Sequence, residues 1–245
     1  MTAVLVACAH GTRSPDGQGV VRSLVADLRA LRPGLRVEEA FVDVQEPAVA
    51  DVVAAVLADA PGTGAAVSPA GRPAVVVAPL LLSTGFHVRH DIGAAVAGRP
   101  ARAAAPIGPD RRLVTVLLQR LHEAGAVPGD AVVLAAAGSS DPAAAEAVRE
   151  VTAGLAEAWA GPVTVGFGAA AEPTVSAAVA AARADGAGRV VVASYLLAPG
   201  HFHSALARAG ADVVTAPLGP HPLLAPIVLD RYDAAVDGAG GTVPG

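Results

Sequence analysis

The chain has 245 residues, 53% of them hydrophobic but only 3% aromatic, and carries a net charge of −5. Such a length holds one large domain or two of about 120 residues, and the acidic balance argues against nucleic acid or an anionic membrane surface as partner. All 17 basic residues are arginine and Cys8 is the single cysteine; this excludes a Schiff-base lysine, a Walker-type phosphate loop, an intramolecular disulfide and every paired-cysteine metal motif.

The opening apolar run lacks a basic flank, and no stretch reaches the roughly 20 uninterrupted apolar residues of a membrane helix. A reducing, cytoplasmic setting without membrane contact is the expectation. Along the chain, short Val-rich runs alternate with Ala-rich amphipathic stretches. The first half predicts strands over 3–9, 35–41, 74–79 and, weakly, 102–105, with helices over 17–31, 47–57, 90–96 and 110–124. The second predicts strands over 131–136, 163–167, 189–194 and 212–214, with helices over 142–159, 173–184, 203–209 and 221–236. Continuous apolar strands separated by helices predict a parallel sheet covered on both faces. The fold class is α/β, in two similar halves.

The halves repeat one another. The run from Val4 through His10, Gly11 and Arg13 is answered by the run from Val132 through Ala137, Gly138 and Ser140, with Pro15 answered by Pro142. Phe41, Asp43, Glu46 and Pro47 are answered by Phe167, Ala169, Glu172 and Pro173, and the segment 78–85 is answered by 193–200. Residues 105–109 are answered by 216–220, after the second half omits the Gly/Pro loop around 61–73. An N-terminal repeat over 1–124, a C-terminal repeat over 131–236 and a flexible tail over 237–245 are expected.

Duplication preserves what packing needs, so a polar side chain kept in one copy only points to chemistry. His10 is such a residue, since Ala137 stands at its counterpart. It follows a parallel strand, and ligands in open α/β sheets bind beyond the carboxyl ends of the strands. His87 likewise follows the third strand, and Asp43, whose counterpart is Ala169, follows the second. His90 lies three residues beyond His87, beside it if both share a helical turn. Two imidazoles and a carboxylate suit a borderline divalent ion such as Fe²⁺, Co²⁺, Ni²⁺ or Zn²⁺, held without thiolate and so able to exchange. Either histidine can also accept a proton near neutral pH.

With these residues in place, the chain resembles the class II sirohydrochlorin chelatases in their long, two-repeat form. The resemblance is carried by His-Gly-Thr-Arg at His10, by Phe-Val-Asp and Glu-Pro within 41–47, and by Gly-x-His-Val-x-x-Asp-Ile within 85–92. It implies two α/β halves facing each other across a cleft, with a divalent metal, Fe²⁺ or Co²⁺, inserted into sirohydrochlorin for sirohaem or cobalamin synthesis. It also implies that only one half acts, with His10 and His87 catalytic and metal-binding and Asp43 near the metal. Metal and tetrapyrrole are then the substrates and partners, no further cofactor is needed, and a monomer suffices because one chain holds both repeats. Arg13 and Arg89 are the candidate donors for the substrate's carboxylates. His203, in the second copy, is a candidate contact for substrate carboxylates, with helix capping and metal binding as alternatives.

Other residues read as structural. Glu46 and Glu172 recur before proline as first-turn charges, His122 and His221 read as helix-surface residues, and Cys8 as core. The Gly166-x-Gly168 segment mimics a dinucleotide fingerprint, but no acidic residue ends the next strand. A metal or tetrapyrrole carrier with the same fold and a two-lobed periplasmic-type binding protein are the competing readings, the latter disfavoured by the missing signal peptide.

Overall fold

The structure is a computed structural model that describes residues 2–59, 72–83, 85 and 88–238. Most of the predicted Gly/Pro loop and all but the first two residues of the predicted tail lie outside the described residues, as does His87. The chain forms two compact units, Met1–Ile107 with Leu224–Gly245, and Gly108–Leu223.

In the first unit, β1 (Val4–Ala9), β2 (Val37–Phe41), β3 (Val75–Pro79) and β4 (Ala101–Ala103) make a parallel sheet in the order β2-β1-β3-β4. Both faces of β1 and β3 are buried, which is why their sequences run apolar without alternation. On one face Val6, Cys8, Val75 and Val77 pack against Val49, Val53 and Val56 of α2 (Val49–Ala58) and Ala95 of α3 (Gly93–Val96). The other face carries α1 (Pro15–Leu31), which buries Val20, Val21, Leu24, Val25 and Leu28. Its start is set by Ser14, whose side chain accepts from the Gly17 N–H at 3.3 Å, and by Pro15 in the first turn.

The second unit repeats the plan. β5 (Ala131–Ala136), β6 (Val163–Phe167), β7 (Val190–Tyr195) and β8 (Val213–Val214) form a parallel sheet in the order β6-β5-β7-β8. It is flanked by α5 (Pro142–Ala158), α6 (Val175–Ala184) and α7 (His201–Leu206). Asp141 caps α5 as Ser14 caps α1, accepting from the Ala143 N–H at 2.9 Å.

The compact units differ from the sequence repeats in their last helix. α4 (Arg111–Glu123), which falls in the predicted 1–124 repeat, packs in the second unit against β7 and α5. Its Arg120 donates to the carbonyls of Pro217, Leu218 and Pro220. α8 (Leu224–Asp237), which falls in the predicted 131–236 repeat, packs in the first unit on β3, β4 and α1. There Asp233 accepts from Arg32 at 2.6 and 2.7 Å, and the Tyr232 hydroxyl donates to the Ala3 carbonyl at 2.6 Å. Each repeat thus lends its final helix to the other sheet. An amphipathic pattern states that a helix must be covered, not by which sheet.

Two local expectations are corrected. The helix predicted over 90–96 is a π-helical turn, Val88–Ile92, followed by the short α3. His221 is buried rather than on a helix surface, because α8 starts three residues later at Leu224. Its Nδ1 accepts from the Leu223 N–H at 3.1 Å while Nε2 lies 2.9 Å from Gln119 Oε1 on α4. Cys8 is in the core as expected, its thiol pushed up to about 12 mainly by burial.

Candidate active site

The strand order makes the carboxyl end of the first sheet the place for chemistry. The chain leaves β1 for β2 on one side and returns to β3 on the other, so the connections diverge between β1 and β3, the switch point where open α/β sheets bind ligands. His10 is the first residue beyond β1 and is exposed. His87 follows β3 in sequence.

The backbone around His10 is tightly held. Beyond the strand ends the Val42 N–H donates to the Ala9 carbonyl at 3.0 Å and the Asp43 N–H to the His10 carbonyl at 3.1 Å. His10 and Asp43 are therefore adjacent in the frame even though they lie 33 residues apart in sequence. Gly11 has φ of +91°, and a Cβ on it would stand 2.4 Å from the Asp43 carbonyl oxygen, so no other residue fits between the two loops. Val44 sits at φ of +59°, costly for a β-branched residue, and the Asp43 carboxylate steadies it by accepting from its N–H at 2.7 Å.

Side chains complete the clamp. Gln45 Oε1 accepts from the Thr12 N–H at 2.8 Å, joining the β2–α2 loop to the β1–α1 loop. Thr12 Oγ1 accepts from the Ser14 N–H at 3.1 Å and the Thr12 carbonyl accepts from Gln18 Nε2 at 2.9 Å. Gln45 was not among the residues that sequence reasoning selected. The signal was present, since Gln45 is answered by Ala171 just as His10 is answered by Ala137. Glu46 and Glu172 are structural in both copies, each accepting from the backbone N–H two residues on at 2.9 Å.

The second unit keeps the frame and drops the polar groups. Gly138 has φ of +89° and Ala170 φ of +54°, and the Ala169 N–H donates to the Ala137 carbonyl at 2.9 Å. The strained backbone is thus a property of the scaffold, and the side chains distinguish the copies.

The remaining candidates are placed as follows. Arg13 is exposed in the loop before α1. Arg89 lies in the π-helical turn, where only its backbone is described. His90 is exposed on the same turn, its Nδ1 at 3.2 Å from Asp91 Oδ1. His203 is in the second unit on α7, its Nε2 at 3.1 Å from the Thr215 carbonyl oxygen, and so ties α7 to the segment after β8. Among the described residues no three His, Cys, Asp or Glu side chains group closely enough to hold an ion by themselves. The His10, His87 and Asp43 set includes a residue outside them.

The sequence model of the CbiX family matches residues 4–124 and matches again over 131–235. The chain belongs to the CbiX family. A sirohydrochlorin ferrochelatase of Priestia megaterium is 28% identical over 213 residues, which covers 82% of this chain and 74% of that protein. A sirohydrochlorin cobaltochelatase of Sulfolobus acidocaldarius is 29% identical over 129 residues, 51% of this chain but 94% of that protein. The shorter relative thus corresponds to about one of the two CbiX units present here. Among solved structures, SirB from Bacillus subtilis with Fe³⁺ has a TM-score of 0.79 at 22% identity, covering 98% of this chain and 97% of that one. A CbiX described as the terminal enzyme for biosynthesis of siroheme in denitrifying bacteria gives 0.67 at 24% identity, covering 95% and 99%. These likenesses establish a CbiX fold carried twice. Among the described residues no helix is long and apolar enough to cross a membrane.

Proposed function

We propose that this CbiX chain is a cytoplasmic sirohydrochlorin chelatase that inserts a divalent metal into the tetrapyrrole. The observation that carries the proposal is His10, an exposed imidazole at the β1 switch point in a backbone frame whose duplicate holds Ala137. The chelatase relatives supply the substrate class. Fe²⁺ is placed first, because the relative aligned over most of this chain is a ferrochelatase; Co²⁺ is the second reading, from the cobaltochelatase that aligns with half of it.

Insertion exchanges two pyrrole N–H protons for one M²⁺, so the protein must hold the ion, release it to the ring and take up two protons. His10 and His87 hold the ion, with the Asp43 carboxylate close by to balance its charge. As pyrrole nitrogens displace the imidazoles, each histidine is freed to accept one proton. Gln45 and Thr12 keep the His10 loop from shifting during the exchange. Sirohydrochlorin carries eight carboxylates, and Arg13 and Arg89 are the proposed donors for them; His203 is the further candidate contact, its Nε2 being engaged by the Thr215 carbonyl. One chain carries both CbiX units, so the enzyme acts as a monomer.

The test is anaerobic incubation of the chain with sirohydrochlorin and Fe²⁺ or Co²⁺, following the change in visible absorption. The proposal expects insertion well above the spontaneous rate and a loss of about a hundredfold in His87→Ala. A chain that binds metal or tetrapyrrole without raising the rate is a carrier, and that result overturns the proposal.

A further inference from the structure

Among the described residues only Val44 and Ala170 take positive φ without being glycine. At φ of +59°, Val44 lies in the left-handed region that a β-branched side chain all but avoids. Its side chain is also exposed, with 46% of the residue's surface open to solvent. The duplicate shows that the turn asks for neither property. Ala170 answers Val44 in the second unit and makes the same turn at φ of +54°, with the hydrogen bond from the Ala169 N–H to the Ala137 carbonyl kept. The first unit therefore carries two further methyl groups at a position where backbone strain and water both oppose them.

The place of those methyl groups gives them a use. A Cβ on Gly11 would stand 3.2 Å from the Val44 Cβ, so the valine side chain starts against the residue next to His10. The Val44 N–H donates to Asp43 Oδ1 at 2.7 Å, so the same residue adjoins the carboxylate proposed to lie near the ion. Val44 itself offers an ion nothing. A cation enters a macrocycle along the normal to the ring plane, so the groups that deliver it face the conjugated surface of the ring and not the rim from which the carboxylates extend. A side chain beside those groups meets the same surface, which is apolar and gains by leaving water.

We propose that Val44 is a substrate-contact residue, its isopropyl group packing on the face of the macrocycle through which the ion is inserted. The proposal rests on the chelatase reading and adds to it a residue that acts on the ring and not on the metal. It draws only on the β2–α2 loop of the first unit. Ala170, exposed at the corresponding turn, has too little apolar surface for the same task.

The test is steady-state insertion at saturating metal with sirohydrochlorin varied, in the wild type, Val44→Ala, Val44→Gly and Val44→Thr, beside the denaturant midpoint of each. All three variants keep the backbone N–H that holds Asp43. Val44→Ala and Val44→Gly are expected to raise KM for sirohydrochlorin about fivefold, as the loss of two or three partly buried carbon atoms does, while kcat and the metal dependence move far less. Val44→Thr, equal in shape but with a hydroxyl in place of one methyl group, also raises KM. Val44→Gly relieves the left-handed strain, so its midpoint stays at or above that of the wild type. Substrate affinity and stability then part company, which a purely structural side chain would not produce. A wild-type KM in Val44→Ala or Val44→Thr, or a Val44→Gly midpoint that falls together with its activity, overturns the inference while the chelatase reading stands. A wild type that does not metallate sirohydrochlorin overturns that reading, and this inference with it.

Discussion

Gln45 acts on His10 only through backbone, which makes its contribution separable from metal binding itself. Replacing it by alanine removes the acceptor for the Thr12 N–H. We expect Gln45→Ala to lower the insertion rate about tenfold, as loss of a partner that orients a metal-binding group does, while Gln45→Glu, which still offers an acceptor, restores most of it. A Gln45→Ala rate equal to the wild type would show that the loop holds His10 without the clamp. Cys8 lies on β1, two residues before His10, and behaves oppositely. Buried, with its thiol pushed up to about 12, it is expected to resist thiol reagents at pH 8 in the folded protein and to label at once in denaturant. His221 gives a pH signature. Burial, and then Arg120, lower its pKa from the usual imidazole value. Its contribution is therefore complete above about pH 6.5 and is lost as pH falls through the lowered folded value. Denaturant midpoints measured between pH 7 and 5 are expected to fall less steeply in His221→Gln than in the wild type; parallel curves would contradict the assignment.

At the scale of elements, the strands were the most legible features. The run over 131–136 is a strand at those bounds because every residue of it is buried, and the run over 163–167 keeps its bounds although Thr164 is exposed, its β-branched Val163, Thr164 and Val165 favouring the extended chain. The short β4 and the turn after His87 were less so, since three residues carry little periodicity and an inserted residue leaves no compositional mark. His221 was misplaced because its partner, Gln119, is more than a hundred residues away in sequence. The destination of α4 and α8 was not legible at all. The exchange predicts where damage appears. Leu117 on α4 is fully buried, so Leu117→Ala is expected to cost about 2–5 kcal/mol. Amide hydrogen exchange should then accelerate in β7 of the second unit and remain unchanged in β3 of the first. Acceleration confined to β1 and β3 would contradict the exchanged packing.

For the molecule as a whole, duplication explains both what the sequence revealed and what the chain can do. The same strand order, the same left-handed glycine and the same strained residue after it occur in both units, so the scaffold was paid for twice while the polar chemistry was kept once. His10 and Asp43 were found by comparing the copies, and the structure joins them through the hydrogen bond from the Asp43 N–H to the His10 carbonyl. Gln45 is visible by the same comparison. The account stands on the imidazole of His10, and the most direct measurement is the anaerobic insertion rate of His10→Ala at saturating sirohydrochlorin. A fall of about a hundredfold or more is predicted; a rate equal to that of the unaltered chain would contradict the account.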